Sequence, residues 1–372
     1  MHLYVHIPFC ASKCPYCAFY SITDAPKNFV RDYPRLLARE LDARGLADAA
    51  FETLYVGGGT PSLLGADGIR RLFDALRGAA PKLRDAREIT VELNPADVTP
   101  ALSAALAECG ATRASLGAQS FDDATLRILG RRHDAAAARE AASALRHAGV
   151  PALSLDLICA VTGAPSAAFA QSLESAAALA PEHISVYPLS IEQGARFAAQ
   201  GFAPASDDAA MNELAAAEDF FSERGYERYE ISNYRKIGAP GCLHNLAVWQ
   251  GADYAGIGPA AASRLGLERR VNAADAASYF RNRADSLQFQ SETLAPEEDE
   301  RERFATGLRL SSGISPDPAT TRGRDQIATC ERFVRVGLMR RIAAASLTPG
   351  AAIYALTRRG REVADGIAAE LP

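Results

Sequence analysis

Six short apolar runs, at residues 3–7, 53–56, 88–93, 113–116, 152–158 and 184–189, alternate with longer stretches of helical spacing such as 32–44 and 135–148. Alternation of this kind leaves a chain few options, because successive strands must lie parallel and each crossover must carry a helix over the sheet. Six such strands predict an α/β fold, a partial or open (β/α)6 barrel of the TIM type, whose chemistry belongs at the C-terminal strand ends. The polar motifs fall there: Cys10, Gly57, Glu92, Gln119 and Asp156 stand at or near the ends of successive runs. One mouth is expected to collect them all.

Directly after the first run, the segment YVHIPFCASKCPYCAFY carries Cys10, Cys14 and Cys17 in a C-x3-C-x2-C pattern. Three closely spaced thiolates suit a site-differentiated 4Fe–4S cluster, since they ligate three irons and leave the fourth open. A structural zinc site is the alternative, but it wants four closed ligands and only His6 lies near enough in sequence to complete the set. A disulfide fits poorly, because three cysteines do not pair evenly and no secretory leader is expected at the start MHLYVHIPF. The other four cysteines, Cys109, Cys159, Cys242 and Cys330, are scattered and read as buried small hydrophobes.

A second signal is Gly57-Gly58-Gly59-Thr60-Pro61-Ser62, which follows the apolar run at 53–56. Consecutive glycines after a strand let backbone approach a ligand closely, offering N–H and C=O groups to an amino acid's ammonium and carboxylate. The same turn also serves as a plain strand-to-helix connection, so alone it decides little. Glu92 could cap the next element, and Arg131 beside Arg132 could be a solvated helix end. Asp156 stands out more, because a lone carboxylate within an apolar strand needs a partner to offset its desolvation.

Composition sets the class. A chain of 372 residues, 48% apolar and 23% charged, can build a main domain with a full core and a smaller second one. It has no apolar run long enough to span a bilayer, so a cytoplasmic protein that is not integral to a membrane is expected. A net charge of −5 argues against general nucleic-acid binding. After about residue 293 the pattern changes: an acidic helix opener, Ala295-Pro296-Glu297-Glu298-Asp299-Glu300, precedes helical stretches at 303–310 and 331–341, a strand at 352–356 and a last helix to 371. This order predicts a small winged-helix-like module. The expected division is a barrel over 1–230, a connecting segment over 231–290 and the C-terminal module over 291–372.

Taken together, the motifs resemble the radical S-adenosylmethionine (SAM) superfamily. YVHIPFC, CPYCAF, YVGGGTPS, VELNP, SLGAQSF, LGRRH and SLDLI, in that order, are similar to the branch containing oxygen-independent coproporphyrinogen III oxidase and the HemW heme chaperones. Weaker similarity runs through HISVYPLSIE, YERYEISNY, CLHNLAVW and YAGIGPAAASR to LTRRGREVADG. The resemblance implies that Cys10, Cys14 and Cys17 ligate the cluster, with Tyr16 near the adenine of SAM and Tyr4 bordering the bound SAM. It further implies that Gly58, Gly59 and Thr60 line the methionine end, that Glu92 meets the ammonium or ribose, and that Gln119, Arg131 and Asp156 make further SAM contacts. The chemistry implied is reductive cleavage of SAM to methionine and a 5′-deoxyadenosyl radical, with electrons from an external donor.

The same resemblance bears on heme. His244 to Trp249, HNLAVW, are similar to the H-N-x-x-Y-W motif of the HemW proteins, with His244 in the position of the proposed heme ligand and Trp249 able to face the macrocycle. Three departures accompany it. Val248 replaces the tyrosine, the usual GPGAH reads Gly258-Pro259-Ala260-Ala261-Ala262, and the loop after SLDLI reads Cys159-Ala160-Val161-Thr162-Gly163. The cluster begins at residue 10, without the extension that coproporphyrinogen oxidases carry before it, which weighs against that decarboxylation. The leading expectation is a heme carrier delivering to an apo-hemoprotein. The alternative is a radical SAM methyltransferase or heme-modifying enzyme of the same branch.

Overall fold

A computed structural model of the chain describes residues 1–281, 288–342 and 352–371. Its main sheet is built from β1 (His2–Ile7), β2 (Thr53–Gly58), β3 (Glu88–Leu93), β4 (Arg113–Gln119), β5 (Ala152–Cys159), β6 (His183–Pro188), β7 (Tyr226–Arg228), β8 (Asn233–Lys236), β9 (Tyr254–Ile257), β10 (Ala262–Leu265), β11 (Glu268–Asn272) and β12 (Phe289–Thr293). The order across the sheet is β12-β11-β10-β9-β1-β2-β3-β4-β5-β6-β8-β7. Strands β1 to β6 pair in parallel, β9 joins β1 in parallel, and antiparallel strands extend both flanks. The stretch at 231–290, expected as a connection, thus contributes β8 to β11 and the start of β12 to this sheet.

Within each parallel strand the residues alternate. On one face lie Leu3, Val5 and Ile7 of β1, Leu54 and Val56 of β2, Ile89, Val91 and Leu93 of β3, and Leu153, Leu155 and Leu157 of β5, all buried in one core. They pack beneath crossover helices such as Lys27–Ala43 and Gly65–Ala79, whose Leu37, Leu41, Leu72 and Phe73 reach the same core. Each such side chain contributes about 1.5–3 kcal/mol by leaving water. The other face is polar: His2, Tyr4 and His6 on β1, Thr53 and Tyr55 on β2, Glu88, Thr90 and Glu92 on β3, Arg113 and Ser115 on β4, Ser154 and Asp156 on β5, His183 and Ser185 on β6. Side chains alternate faces along a strand, so the curved sheet wraps a polar interior in an apolar shell.

A second, smaller core unites Phe304, Leu308, Cys330, Phe333, Tyr354 and Ile367. It gathers helices Pro296–Gly307 and Thr321–Arg335, the antiparallel pair β13 (Met339–Ile342) and β14 (Ile353–Leu356), and short helices Arg358–Glu362 and Ala364–Ala369. The helical stretch expected over 331–341 ends early, because Gly337 at φ +76° breaks it and the chain turns into β13. Cys109, Cys159, Cys242 and Cys330 are buried and free. Among the described residues no helix is long and apolar enough to cross a membrane.

Candidate functional site

A cavity of about 660 Å³ opens at the C-terminal ends of the parallel strands. Cys10, Cys14, Cys17, Tyr16, Gly58, Gly59, Thr60, Glu92, Gln119, Arg131 and Asp156 all line it. Tyr4, His244 and Trp249 do not.

The cysteine loop follows β1 and is tied down at its root: Cys10 N–H donates to Ile22 O at 3.0 Å and Ile22 N–H to Pro8 O at 2.7 Å. Burial raises the Cys17 thiol, and charge on Cys14 and Cys10 raises it further, which places the three thiols within reach of one another's fields. Two donors are aimed at sulfur. The Thr60 hydroxyl stands 3.4 Å from Cys10 Sγ, and Arg131 Nη1 stands 3.5 Å from Cys14 Sγ. Such donors orient a ligating sulfur and tune a bound cluster. Among the described residues no group of three His, Cys, Asp or Glu side chains could hold a metal ion. A cubane takes one thiolate at each of three separate corners, so its ligands need not converge as those of a lone zinc ion must. The donor set fits the cluster.

The glycine loop packs against this root. A Cβ at Gly59 would fall 2.7 Å from the carbonyls of Ile7 and Phe9, one at Gly58 2.5 Å from the His6 ring, and Gly58 adopts φ +106°. Two of the loop's N–H groups are already used, Gly59 on Ile7 O at 2.7 Å and Gly58 on Glu92 Oε2 at 3.1 Å. What the loop presents to a ligand is therefore its carbonyl side and Thr60, rather than the row of amides the sequence pattern brings to mind.

Glu92 and Asp156 give the cavity its character. Glu92 Oε1 accepts from Tyr55 Oη at 2.7 Å, and Asp156 accepts from Ser115 Oγ at 3.2 Å. Among the described residues neither carboxylate has a lysine or arginine at ion-pair distance. Burial, with the nearby Asp156 charge, pushes Glu92 up to about 7, and burial likewise raises Asp156. Two half-buried acids facing one space with no cation in contact make a receptor for a cation, and the ammonium and sulfonium of SAM meet that description. Arg131 points inward: Nη2 donates to Gly117 O at 2.8 Å, and its buried Nε has no partner. Gln119 sits at φ +63° where β4 shifts register against β5, a conformation that turns its side chain at the cost of local strain. Tyr16 packs on an apolar patch of Leu129, Ile158, Leu189 and Phe197, a surface suited to the flat face of an adenine.

The remaining expected residues lie elsewhere. Tyr4 stacks on Tyr55, ring centroids 6.2 Å apart, and hydrogen bonds His6, behind the cavity wall. His244 opens the helix Leu243–Trp249, which closes the N-terminal end of the barrel. Its ring is 5% exposed, Nδ1 lies 2.8 Å from Thr53 Oγ1, and burial drives its pKa down to about 3. Glu88 caps the same helix, accepting from Leu243 N at 2.8 Å and His244 N at 3.0 Å. Trp249 lies under the Arg309 guanidinium, 5.3 Å away, at the contact with the C-terminal module.

Several lining residues escaped the sequence reading: Tyr55, Ser115, Ser185, Arg113, His183 and Asn245. The signal was present for all but Asn245. HLYVHI, TLYVGG, EITVEL and HISVYP each alternate polar and apolar residues, and that period of two marks an inner face different from the outer one.

Comparisons with known proteins bear on the family and the fold. The Radical SAM superfamily model matches residues 4–176. Heme chaperone HemW of Escherichia coli is 36% identical over 267 residues, covering 69% of this chain and 68% of that protein. Heme chaperone HemW of Mycobacterium tuberculosis is 35% identical over 278 residues, covering 73% and 71%. Among solved structures, coproporphyrinogen III oxidase (HemN) from Escherichia coli superposes with a TM-score of 0.82 at 22% identity, covering 99% of this chain and 89% of that one, a likeness that speaks for the fold. By these matches the chain belongs to the radical SAM superfamily and, within it, to the family of the proteins named heme chaperone HemW.

Proposed function

We propose that the chain holds a 4Fe–4S cluster on Cys10, Cys14 and Cys17, binds SAM in the adjoining cavity, and acts as a HemW-like carrier that takes up heme and passes it to an apo-hemoprotein. The observation that carries the first half is the convergence of three thiols and two carboxylates, neither in an ion pair, on one cavity. The name of the matched relatives carries the second.

When bound, the cluster supplies a low-potential electron from an external donor, and the protein's part is to position and shield. Glu92 would take the ligand's ammonium, giving up the proton it holds at neutral pH. Asp156 and Gln119 would hold its polar middle, Tyr16 and Ile158 its adenine. Arg131 and Thr60 would donate to the ligating sulfurs.

Heme fits His244 less well. In this conformation the ring is buried, its Nδ1 is engaged by Thr53, and it does not line the cavity. Axial ligation there would require the helix Leu243–Trp249 to leave the barrel floor, so no step is assigned to it. An anaerobic heme titration of the reconstituted protein, followed in the Soret band with wild type and His244→Ala side by side, tests the carrier reading. Stoichiometric binding supports it. Absence of binding overturns it in favour of the enzyme reading, a methyltransferase or heme-modifying activity, which the depth of the cavity beyond the SAM residues favours.

A further inference from the structure

The cavity continues past the residues proposed for SAM toward the N-terminal strand ends, where Arg113, His183 and Asn245 line it. Arg113 stands one pleat below Ser115 on β4, and His183 one pleat below Ser185 on β6. At about 3.3 Å per residue, Arg113 lies roughly 7 Å deeper along its strand than Ser115, which is in register with Ser154 and, through it, His183.

The floor carries a charge that no carboxylate touches, although Glu88 and Asp156 act on it from beyond ion-pair distance. Arg113 is 6% exposed; Nη2 donates to Ser154 Oγ at 3.1 Å, while Nε has no partner. Among the described residues Arg113 forms no ion pair. Glu88, one pleat below Thr90, the residue in register with Arg113, is occupied as the cap of helix Leu243–Trp249 and acts on Arg113 only at a distance. His183 cannot help, because its Nδ1 lies 2.8 Å from Ser154 Oγ and its Nε2 2.8 Å from Tyr229 Oη, and burial holds it well below its ordinary range, hence neutral. A buried guanidinium with no carboxylate in contact and an unpartnered N–H is costly, and a bound anion recovers part of that cost through a charge-assisted hydrogen bond to the free Nε–H. Guanidinium geometry matches a carboxylate well.

We propose that the floor of this cavity binds the carboxylate of a second molecule, distinct from SAM, with Arg113 as its anchor and the Asn245 amide beside it. The inference rests on the placement of SAM proposed above, which occupies the mouth and leaves the floor free. The carboxylate belongs either to a small free acid or to the propionate arm of a tetrapyrrole.

The test is equilibrium dialysis of radiolabelled propionate against the reconstituted full-length protein, with and without SAM, in wild type, Arg113→Gln and Arg113→Lys. Wild type is expected to bind saturably, Arg113→Gln roughly 10- to 100-fold more weakly, and Arg113→Lys in between. Iron content checks folding in each variant. SAM binding, measured separately, keeps the two ideas apart: a protein that binds propionate but not SAM loses the SAM placement and retains the floor site. Parallel titrations with heme and heme dimethyl ester identify the source. Weakening by esterification and by Arg113→Gln alike points to a propionate arm, and indifference of heme to both, with propionate still bound, points to a free acid. Wild type that binds no propionate and ignores esterification, or Arg113→Gln that binds as wild type does, overturns the proposal.

Discussion

Glu88 and Glu92 lie four residues apart on the same face of the same strand, yet they do opposite things. Glu88 spends its oxygens on the N–H groups of Leu243 and His244 and so fastens the helix that closes the barrel floor. Glu92 accepts from Tyr55 and Gly58 and still faces open space, without a cation and held near neutrality. The contrast extends to the residues around them. His2, Thr53 and His244 form a continuous buried chain at the floor, at 2.9 and 2.8 Å. At the mouth, Asp156, Gln119 and Arg131 line the cavity around unfilled space. One pleated face thus makes a plug at one end and a receptor at the other, and what separates them is whether the protein itself supplies the partner.

The largest effect expected at the mouth is on the cluster. Cys14→Ser should abolish assembly of the iron–sulfur centre, read as iron and sulfide content after anaerobic reconstitution; full iron retention would remove Cys14 from the ligand set. Next comes Glu92→Gln, expected to weaken SAM binding by about 10- to 100-fold, the worth of a buried charge-assisted hydrogen bond. In wild type a cationic ligand must displace the Glu92 proton, so SAM affinity should fall about fivefold between pH 7 and pH 6 and level off above pH 8. In Glu92→Gln that slope should vanish.

Stability should respond to pH in opposite senses at the two ends. Glu92 titrates near 7 in the fold against 4.5 ordinarily, so the fold binds the extra proton; its contribution is complete below about 4.5 and is lost as pH rises through about 7. His244 is held at about 3 against 6.5, so its contribution is present above 6.5 and is lost as pH falls toward 3. His244→Ala should cost about 1–3 kcal/mol at neutral pH by removing one of Thr53's two partners and emptying the floor, flatten the acid limb of the melting curve, and leave iron content unchanged. A variant that melts as wild type does would show that the floor is not a plug. The smallest effect is expected at Ala260. It stands where the family usually has glycine and adopts φ +63°, so Ala260→Gly should stabilise by at most about 1 kcal/mol in a thermal melt.

Much of the mouth was legible in the sequence. Cysteine spacing, the glycine loop and the carboxylates at strand ends are local signals, and the structure gathers them in one cavity. The floor was not legible, for two reasons. The strands were read as apolar runs, so the alternation that puts Tyr55, Ser115, Ser185 and Arg113 inside went unused. His244 depends on tertiary placement: nothing in HNLAVW says that its helix enters the barrel's N-terminal end and buries the imidazole against Thr53. The register shift at Gln119 and the early stop at Gly337 likewise depend on positive φ angles, which residue type announces only for the glycine.

The most direct test of the mouth as a receptor is electron paramagnetic resonance of the reduced, reconstituted protein with and without SAM. The account predicts a wild-type cluster signal that shifts on adding SAM, with Glu92→Gln needing a higher SAM concentration for the same shift. A wild-type signal unchanged at saturating SAM would contradict it, because the cavity would then hold neither an open iron nor the ligand its carboxylates await.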